Sequence, residues 1–231
     1  MRRHVTQAYI LTKYLRGEAD SLCVVFTKDF GKLVLRAGGE HKITSKLRGG
    51  LEPLSLSTLE FVEVRTMRIT DAVSSHRFPS IKRNLSRQRT ARAIVELTDA
   101  MMREGEPDEK VWLLLEECFF RLSASISNSP LLYYYFLWKI LLILGYALKV
   151  SSCVFCGLPI GGPAALDAEN GGFRCSACCK NPDTLVPAEV FSAVRTFLNG
   201  TPGLLSQTSF HHKGLGEISE AYLSYVKEVV Q

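Results

Sequence analysis

Cys153-Val-Phe-Cys156, eighteen further residues, then Cys175-Ser-Ala-Cys178-Cys179: the reading of the second half of the chain turns on this stretch. Two Cys-X-X-Cys pairs at that separation have the spacing of a four-cysteine zinc site. Each pair makes a tight turn that aims two thiolates at one point, and two such knuckles complete a tetrahedron around Zn²⁺. Gly157 behind the first pair and Gly171-Gly172 ahead of the second supply turn-forming residues. The expected ligands of one structural Zn²⁺ per chain are Cys153, Cys156, Cys175 and Cys178. Cys179 competes for the fourth place, and the two-residue spacing favours Cys178. The plain alternative is a group of buried free thiols. A redox Cys-X-X-Cys would want a single pair beside a βαβ pattern. A closed four-sulfur site is structural rather than catalytic.

Working outward, 231 residues suit one large domain or two smaller ones, and 46% hydrophobic with 22% charged residues is ordinary for a globular chain. Seven cysteines, four or five of them assigned to metal, point to a reducing compartment rather than a disulfide scaffold. The N-terminal MRRHVTQAYILTKYL has no continuous apolar run of the signal-peptide kind. A cytoplasmic protein is expected. Charge is unevenly spread. Residues 1–92 carry 18 Lys and Arg against 8 Asp and Glu, and the remainder carry 10 against 15. A basic front and an acidic back point to a polyanionic partner for the first part only.

In chain order, Val5 to Leu15 is rich in β-branched and aromatic residues. Leu22 to Thr27 and Leu33 to Leu35 flank the turn Lys28-Asp29-Phe30-Gly31-Lys32, which is a hairpin signal. Leu59 to Ile69 alternates with a change of phase at Arg65-Thr66, which predicts a turn or bulge between two strands. About five strands without intervening helices predict a small antiparallel β-barrel, with the OB-fold as the five-stranded candidate and an SH3-like barrel as the alternative. From Pro79-Ser80 the period becomes helical. Leu85 to Met102 forms one helix, ending at Gly105 and Pro107, and Asp108 caps the next, Val111 to Leu122. Ser129-Pro130 starts a third, running through Leu131 to Leu148.

That third helix holds one charge, Lys139, in eighteen residues, at the lower limit for a membrane span. A helix apolar all round can also be the centre of a bundle. Three consecutive tyrosines, the mid-helix lysine and the knuckle behind it favour the bundle, and no membrane contact is expected. Helices from Pro187 to Leu198 and from Glu217 to Val230 follow, with His211-His212-Lys213-Gly214 as a surface loop between them. The expected class is α+β: a barrel over residues 1–79, then a helical domain over 80–231 with an inserted zinc unit at 150–182.

Catalytic signatures are missing. The chain has no Gly-X-X-X-X-Gly-Lys-Ser/Thr phosphate loop, no dinucleotide fingerprint at Gly49-Gly50 or Gly161-Gly162, and no His-X-Glu of a zinc deaminase. Glu116-Glu117 are helix neighbours that do not face one another. The reading is not an enzyme. An OB-type groove tracks the nucleic-acid backbone with cations while aromatic rings stack on bases. Lys28, Lys32, Arg36, Lys42, Lys46 and Arg48 are the candidate groove cations, and Tyr14 and Phe30 the candidate stacking faces. Lys82, Arg83, Arg87, Arg89 and Arg92 are candidates to extend the path.

The order of parts resembles the bacterial RecO family of DNA repair and recombination mediators. The resemblance is carried by Ala8-Tyr-Ile-Leu-Thr-Lys-Tyr-Leu-Arg-Gly-Glu18-Ala-Asp20, Thr27-Lys-Asp-Phe-Gly31, Ser45-Lys-Leu with Leu51-Glu-Pro-Leu54, Tyr135 to Gly145, Cys153-Val-Phe-Cys-Gly157, and Glu169-Asn-Gly-Gly-Phe-Arg-Cys-Ser-Ala-Cys178. It implies an N-terminal OB domain that binds single- and double-stranded DNA. It also implies annealing of complementary strands and help in loading recombinase onto DNA coated by single-strand binding protein. The implied partners are the recombination mediator RecR and the acidic C-terminal tail of single-strand binding protein, for which Lys110, Arg121 and Lys139 are candidate cations, and the implied place of work is the nucleoid. One segment differs. Where the family often carries a Lys-Gly-X-Arg-type run after the third strand, this chain reads Arg36-Ala-Gly-Gly-Glu40-His-Lys42-Ile-Thr-Ser-Lys46-Leu-Arg48. A zinc-ribbon adaptor whose basic half binds RNA or an acidic protein is the competing reading.

Overall fold

A computed structural model describes residues 2–124, 129–200 and 212–230. The chain divides into two compact units, Met1–Ser125 and Ile126–Gln231. In the first, strands β1 (Arg2–Arg16), β2 (Asp20–Thr27), β3 (Gly31–Ala37), β4 (Leu56–Glu63) and β5 (Met67–His76) form a closed sheet in the order β1-β2-β3-β5-β4. β4 returns to pair with β1. The phase change in the sequence is the turn between β4 and β5. Side chains alternate across the sheet, so Ala8, Ile10, Cys23, Val25, Leu33, Leu35, Leu59, Phe61 and Ile69 fill its interior.

The fold expected from the sequence needs correcting here. A wholly antiparallel barrel does not form, because β3 meets β5 in parallel, with Arg36 opposite Arg68. The reason is parity: an odd number of strands cannot alternate direction all the way round a closed ring. α1 (Pro79–Lys82), α2 (Leu85–Met101) and α3 (Glu109–Ser123) belong to the first unit. β1 and β2 are apolar on both faces, and their outward residues need a cover. Tyr9 and Phe26 are fully buried, and Trp112 of α3 lies over both rings at 5.0 and 6.5 Å. Asp108 caps α3 by accepting from the N–H groups of Lys110 and Val111. Asn84 caps α2 in the same manner through Arg87 N–H.

The second unit holds α4 (Ser129–Ile143), β6 (Lys149–Cys153), β7 (Ala164–Asp167), β8 (Gly172–Cys175), β9 (Leu185–Val186), α5 (Ala188–Asn199) and α6 (His212–Val230). Its four strands make a sheet ordered β6-β8-β7-β9. α4 packs against α5 and α6. Its Trp138 is fully buried, stacks on Tyr222 at 5.6 Å and donates its ring N–H to Ser219 Oγ at 3.1 Å. Lys139 donates to the carbonyl of Leu198 at 3.1 Å, satisfying the C-terminal end of α5, which accounts for a lysine in the middle of an apolar helix. α4 ends at Ile143 rather than 148. Among the described residues no helix is long and apolar enough to cross a membrane. The expected loop at 211–214 is replaced by the start of α6 at His212, and His211 lies outside the described residues.

Gly31 opens β3 at φ +66°, and a Cβ there would stand 2.2 Å from the carbonyl oxygen of Glu106. Gly17 has nearly the same φ, +68°, but among the described residues a Cβ there would meet no atom within 4 Å beyond its chain neighbours. Gly17→Ala should therefore cost about 1–2 kcal/mol of backbone strain, whereas Gly31→Ala should cost at least ~3 kcal/mol because backbone must also move. Urea unfolding of the two variants side by side checks the ranking.

Candidate metal centre and nucleic-acid interface

The two knuckles meet because β6 and β8 run parallel and end together, Cys153 closing one strand and Cys175 the other. After Cys153 the chain turns through Gly157, at φ +76°, whose N–H returns to the Cys153 carbonyl at 2.9 Å. After Cys175 a short 3₁₀ turn, Ser176–Cys178, brings the fourth sulfur round. The sulfur atoms of Cys153, Cys156, Cys175 and Cys178 all lie within 4.8 Å of one another, with Cys156 and Cys175 at 3.9 Å. A tetrahedral ion with metal–sulfur bonds of about 2.3 Å places its ligands about 3.8 Å apart, so the cluster has the dimensions to hold one. Cys179 is turned out of it, donating to the carbonyl of Asn181 at 3.0 Å.

The thiols differ in how readily they ionise. Burial opposes ionisation of Cys153, yet N–H donors of Cys156, Cys175 and Phe155 bring its pKa down to about 6. Cys178 is pushed up to about 12, first by its hydrogen bond to Cys175 and then by burial. Four thiolates at this separation need a cation among them. Around the cluster, Arg174 pairs with Asp167 and lies over the exposed ring of Phe155.

In the first unit, Tyr14, Leu22, Arg36 and Arg68 are successive cross-strand partners on β1, β2, β3 and β5. Directly opposed residues share a face, so these four form one row on the outside of the closed sheet. The segment from Gly38 to Leu47 folds over one end of that row. It encloses a cleft of about 530 Å³ lined by Asp20, Arg36, Gly38, Gly39, Lys42, Lys46, Arg68, Thr70 and Asp71 among others. Asp20 accepts from Arg36 Nη2 at 2.6 Å and Nε at 3.0 Å, and from the Gly39 N–H at 2.7 Å. These contacts, the Gly39 N–H foremost and Arg36 next, hold its carboxyl below the usual carboxylate range.

The sequence candidates thus separate. Arg36, Lys42 and Lys46 line the cleft, and Tyr14 is exposed at the edge of the row. Lys28 lies in the β2–β3 turn and Arg48 on a 3₁₀ turn, both exposed and outside the cleft lining. Lys32 points elsewhere, its Nζ 2.6 Å from the Asp99 carbonyl and 3.2 Å from the Asp99 carboxylate at the end of α2. Phe30 is partly buried, its ring against His4 and Phe61 beside the interior cluster. On the first helices, Lys82 pairs with Glu52, while Arg89 and Arg92 are exposed. Arg68 and Thr70 escaped the sequence reading. The available signal was the phase change before β5, which puts Arg68 and Thr70 on its outer face.

Comparison with known proteins joins the two halves. Residues 1–76 match the family model described as Recombination protein O N terminal, and residues 83–231 the one described as Recombination protein O C terminal. The chain is 30% identical over 232 residues to the DNA repair protein RecO of Myxococcus xanthus, covering 93% of this chain and 94% of that one. It is 27% identical over 237 residues to the DNA repair protein RecO of Pelotomaculum thermopropionicum, covering 97% and 90%.

Two outcomes follow for these sites. Cys153→Ser should leave the purified protein with well under one metal ion per chain, and Cys179→Ser should leave one, as read by elemental mass spectrometry. Asp20, with its carboxyl held low in the folded state, stabilises fully above the unfolded value of about 3.9 and loses that contribution as pH falls through the lower folded value. Asp20→Asn should therefore unfold at a lower urea concentration than the parent at pH 7, and the two midpoints should converge below about pH 3.

Proposed function

Because this chain belongs to the recombination protein O family of DNA repair proteins, we propose that it binds single- and double-stranded DNA through the cleft of the first unit, anneals complementary strands and helps load recombinase onto DNA coated by single-strand binding protein. Its role is in DNA repair and recombination, and it is not an enzyme. One observation carries the reading of the site. Arg36, Lys42, Lys46 and Arg68, which lie on three different parts of the chain, line one concavity together with Asp20 and Asp71, and Tyr14 is exposed two strands from Arg36 on the same outer row. Cations spaced along a groove neutralise phosphates, and an aromatic face stacks bases whatever their identity. Annealing follows physically: neutralised backbones no longer repel each other, and base edges left free can pair.

The four-cysteine cluster holds Zn²⁺ in this reading. The ion supplies folding free energy to the second unit and takes part in no reaction step. The proposed protein partners are the mediator RecR and the acidic tail of single-strand binding protein, met at the nucleoid in the cytoplasm. Of the cations considered for the tail, Arg121 pairs with Glu117, Lys139 serves α5, and Lys110 is exposed. The apolar hollow of about 270 Å³ beside β9 and α6 is rimmed by Asp183 and Glu217, so an acidic tail would have to dock elsewhere.

The test is binding of labelled oligothymidylate without ATP, titrated with salt. If about four phosphates are neutralised, log affinity should fall against log salt with a slope near −3. Replacing Arg36, Lys42, Lys46 and Arg68 together by Ala should flatten that slope and suppress annealing while metal content is kept. Lys32→Ala should lower stability and leave the slope alone. Unchanged binding by the quadruple variant would move the site to Arg89 and Arg92 on α2, and no binding by the parent protein at low salt would end the DNA reading.

A further inference from the structure

The segment Gly38–Leu47 that carries Lys42 and Lys46 into the cleft contains no helix or strand; one backbone bond, from the His41 N–H to the Ala19 carbonyl at 3.0 Å, ties it to the β1–β2 turn, and side chains supply further holds. Asp20 secures its beginning through the Gly39 N–H. The second hold is Glu40, the residue that stands where a family-like basic run would be. Glu40 does not face the cleft; its side chain is completely buried. Oε1 accepts from Lys13 Nζ at 2.9 Å and Oε2 from Ser21 Oγ at 2.8 Å, while Nε2 of the adjacent His41 lies 3.0 Å from Oε2. Lys13 belongs to β1 and Ser21 to β2, so one carboxylate ties the segment to two strands of the closed sheet.

A buried carboxylate is costly unless paired and hydrogen-bonded, and this one is both. Burial would raise its pKa, but the hydrogen bonds from Lys13 and Ser21 outweigh it and the shift is downward. The negative charge is therefore present at neutral pH, yet withdrawn from the surface and matched by Lys13. Resting on the DNA-binding reading above, we infer that Glu40 is a positioning residue for nucleic-acid binding: its buried latch to Lys13 and Ser21 holds Lys42 and Lys46 across the cleft from Arg36 and Arg68. The glutamate within the basic segment thus organises the cations rather than diluting them.

The inference and simple charge counting predict opposite signs. Removing a carboxylate next to a phosphate-binding cleft, and freeing Lys13, should tighten binding if only net charge matters. With the latch, Glu40→Ala should bind labelled oligothymidylate about tenfold more weakly at low salt, because two phosphate contacts lose their placement. Glu40→Gln has the same length and can accept from Lys13 and donate to Ser21, so it should bind within about twofold of the parent. Full-length protein is used throughout, with circular dichroism confirming that each variant is folded. Trypsin cleavage after Lys42 and Lys46 reads the segment without DNA, and Glu40→Ala should be cut there several-fold faster than either Glu40→Gln or the parent. Should Glu40→Ala fail to fold, Ser21→Ala serves instead, with the same two effects in smaller measure. Tighter or unchanged DNA binding by Glu40→Ala, or unchanged cleavage, overturns the inference. Were the parent protein unable to bind DNA, the functional reading would fall and the positioning role with it, while faster cleavage of Glu40→Ala would still establish the anchor.

Discussion

Tyr9 and Phe26 point away from the interior of the closed sheet, and both are fully buried. Much of the first unit depends on that. A strand pair apolar on both faces can stay in water only if a second layer covers it. Trp112 and Phe119 of α3 supply the cover, with ring centroids about 5 Å from Tyr9. α2 then packs on α3 and β1, and Lys32 fastens β3 to the last turn of α2 through Asp99. The basic face carrying Arg36 and Arg68 lies on the strands left without such a cover.

Charges are used in this unit in two ways, and only position separates them. Lys13, Lys32 and Lys82 are spent on Glu40, Asp99 and Glu52 within the fold. Arg36 is shared, held by Asp20 yet still half exposed. Lys42, Lys46 and Arg68 stand around open volume. A cation total over residues 1–92 adds all of these together, and so overstates what is available to a polyanion.

The second unit solves a different problem. α4 is apolar on nearly all sides, and α5 and α6 enclose it, Trp138 reaching Ser219 and Lys139 reaching the end of α5. The small sheet attaches to the helices through Phe173 against Phe191 at 5.0 Å. Cys153 and Cys175 at the ends of two parallel strands, with Cys156 and Cys178 from the turns that follow, give that sheet a cluster of four sulfurs able to chelate a metal ion.

The cysteine cluster, the strand and helix periods, the Asp108 cap and the turn at Arg65-Thr66 were all legible in the sequence, because each is set by residues close together along the chain. Two Cys-X-X-Cys pairs define their own geometry, and an N-cap needs only the next three residues. What the tertiary structure decided were the pairings across distance. The parallel seam between β3 and β5 follows from closing a ring of five strands, and no local pattern states whether a ring closes. The division after residue 125 follows from which apolar face covers which. Arg68 enters the cleft, Lys32 leaves it and Phe30 joins the core because register and packing, not residue type, set the direction of a side chain. Glu40 is the clearest case: a glutamate among cations reads as a surface charge until Lys13 and Ser21, 27 and 19 residues away in sequence, are seen to enclose it.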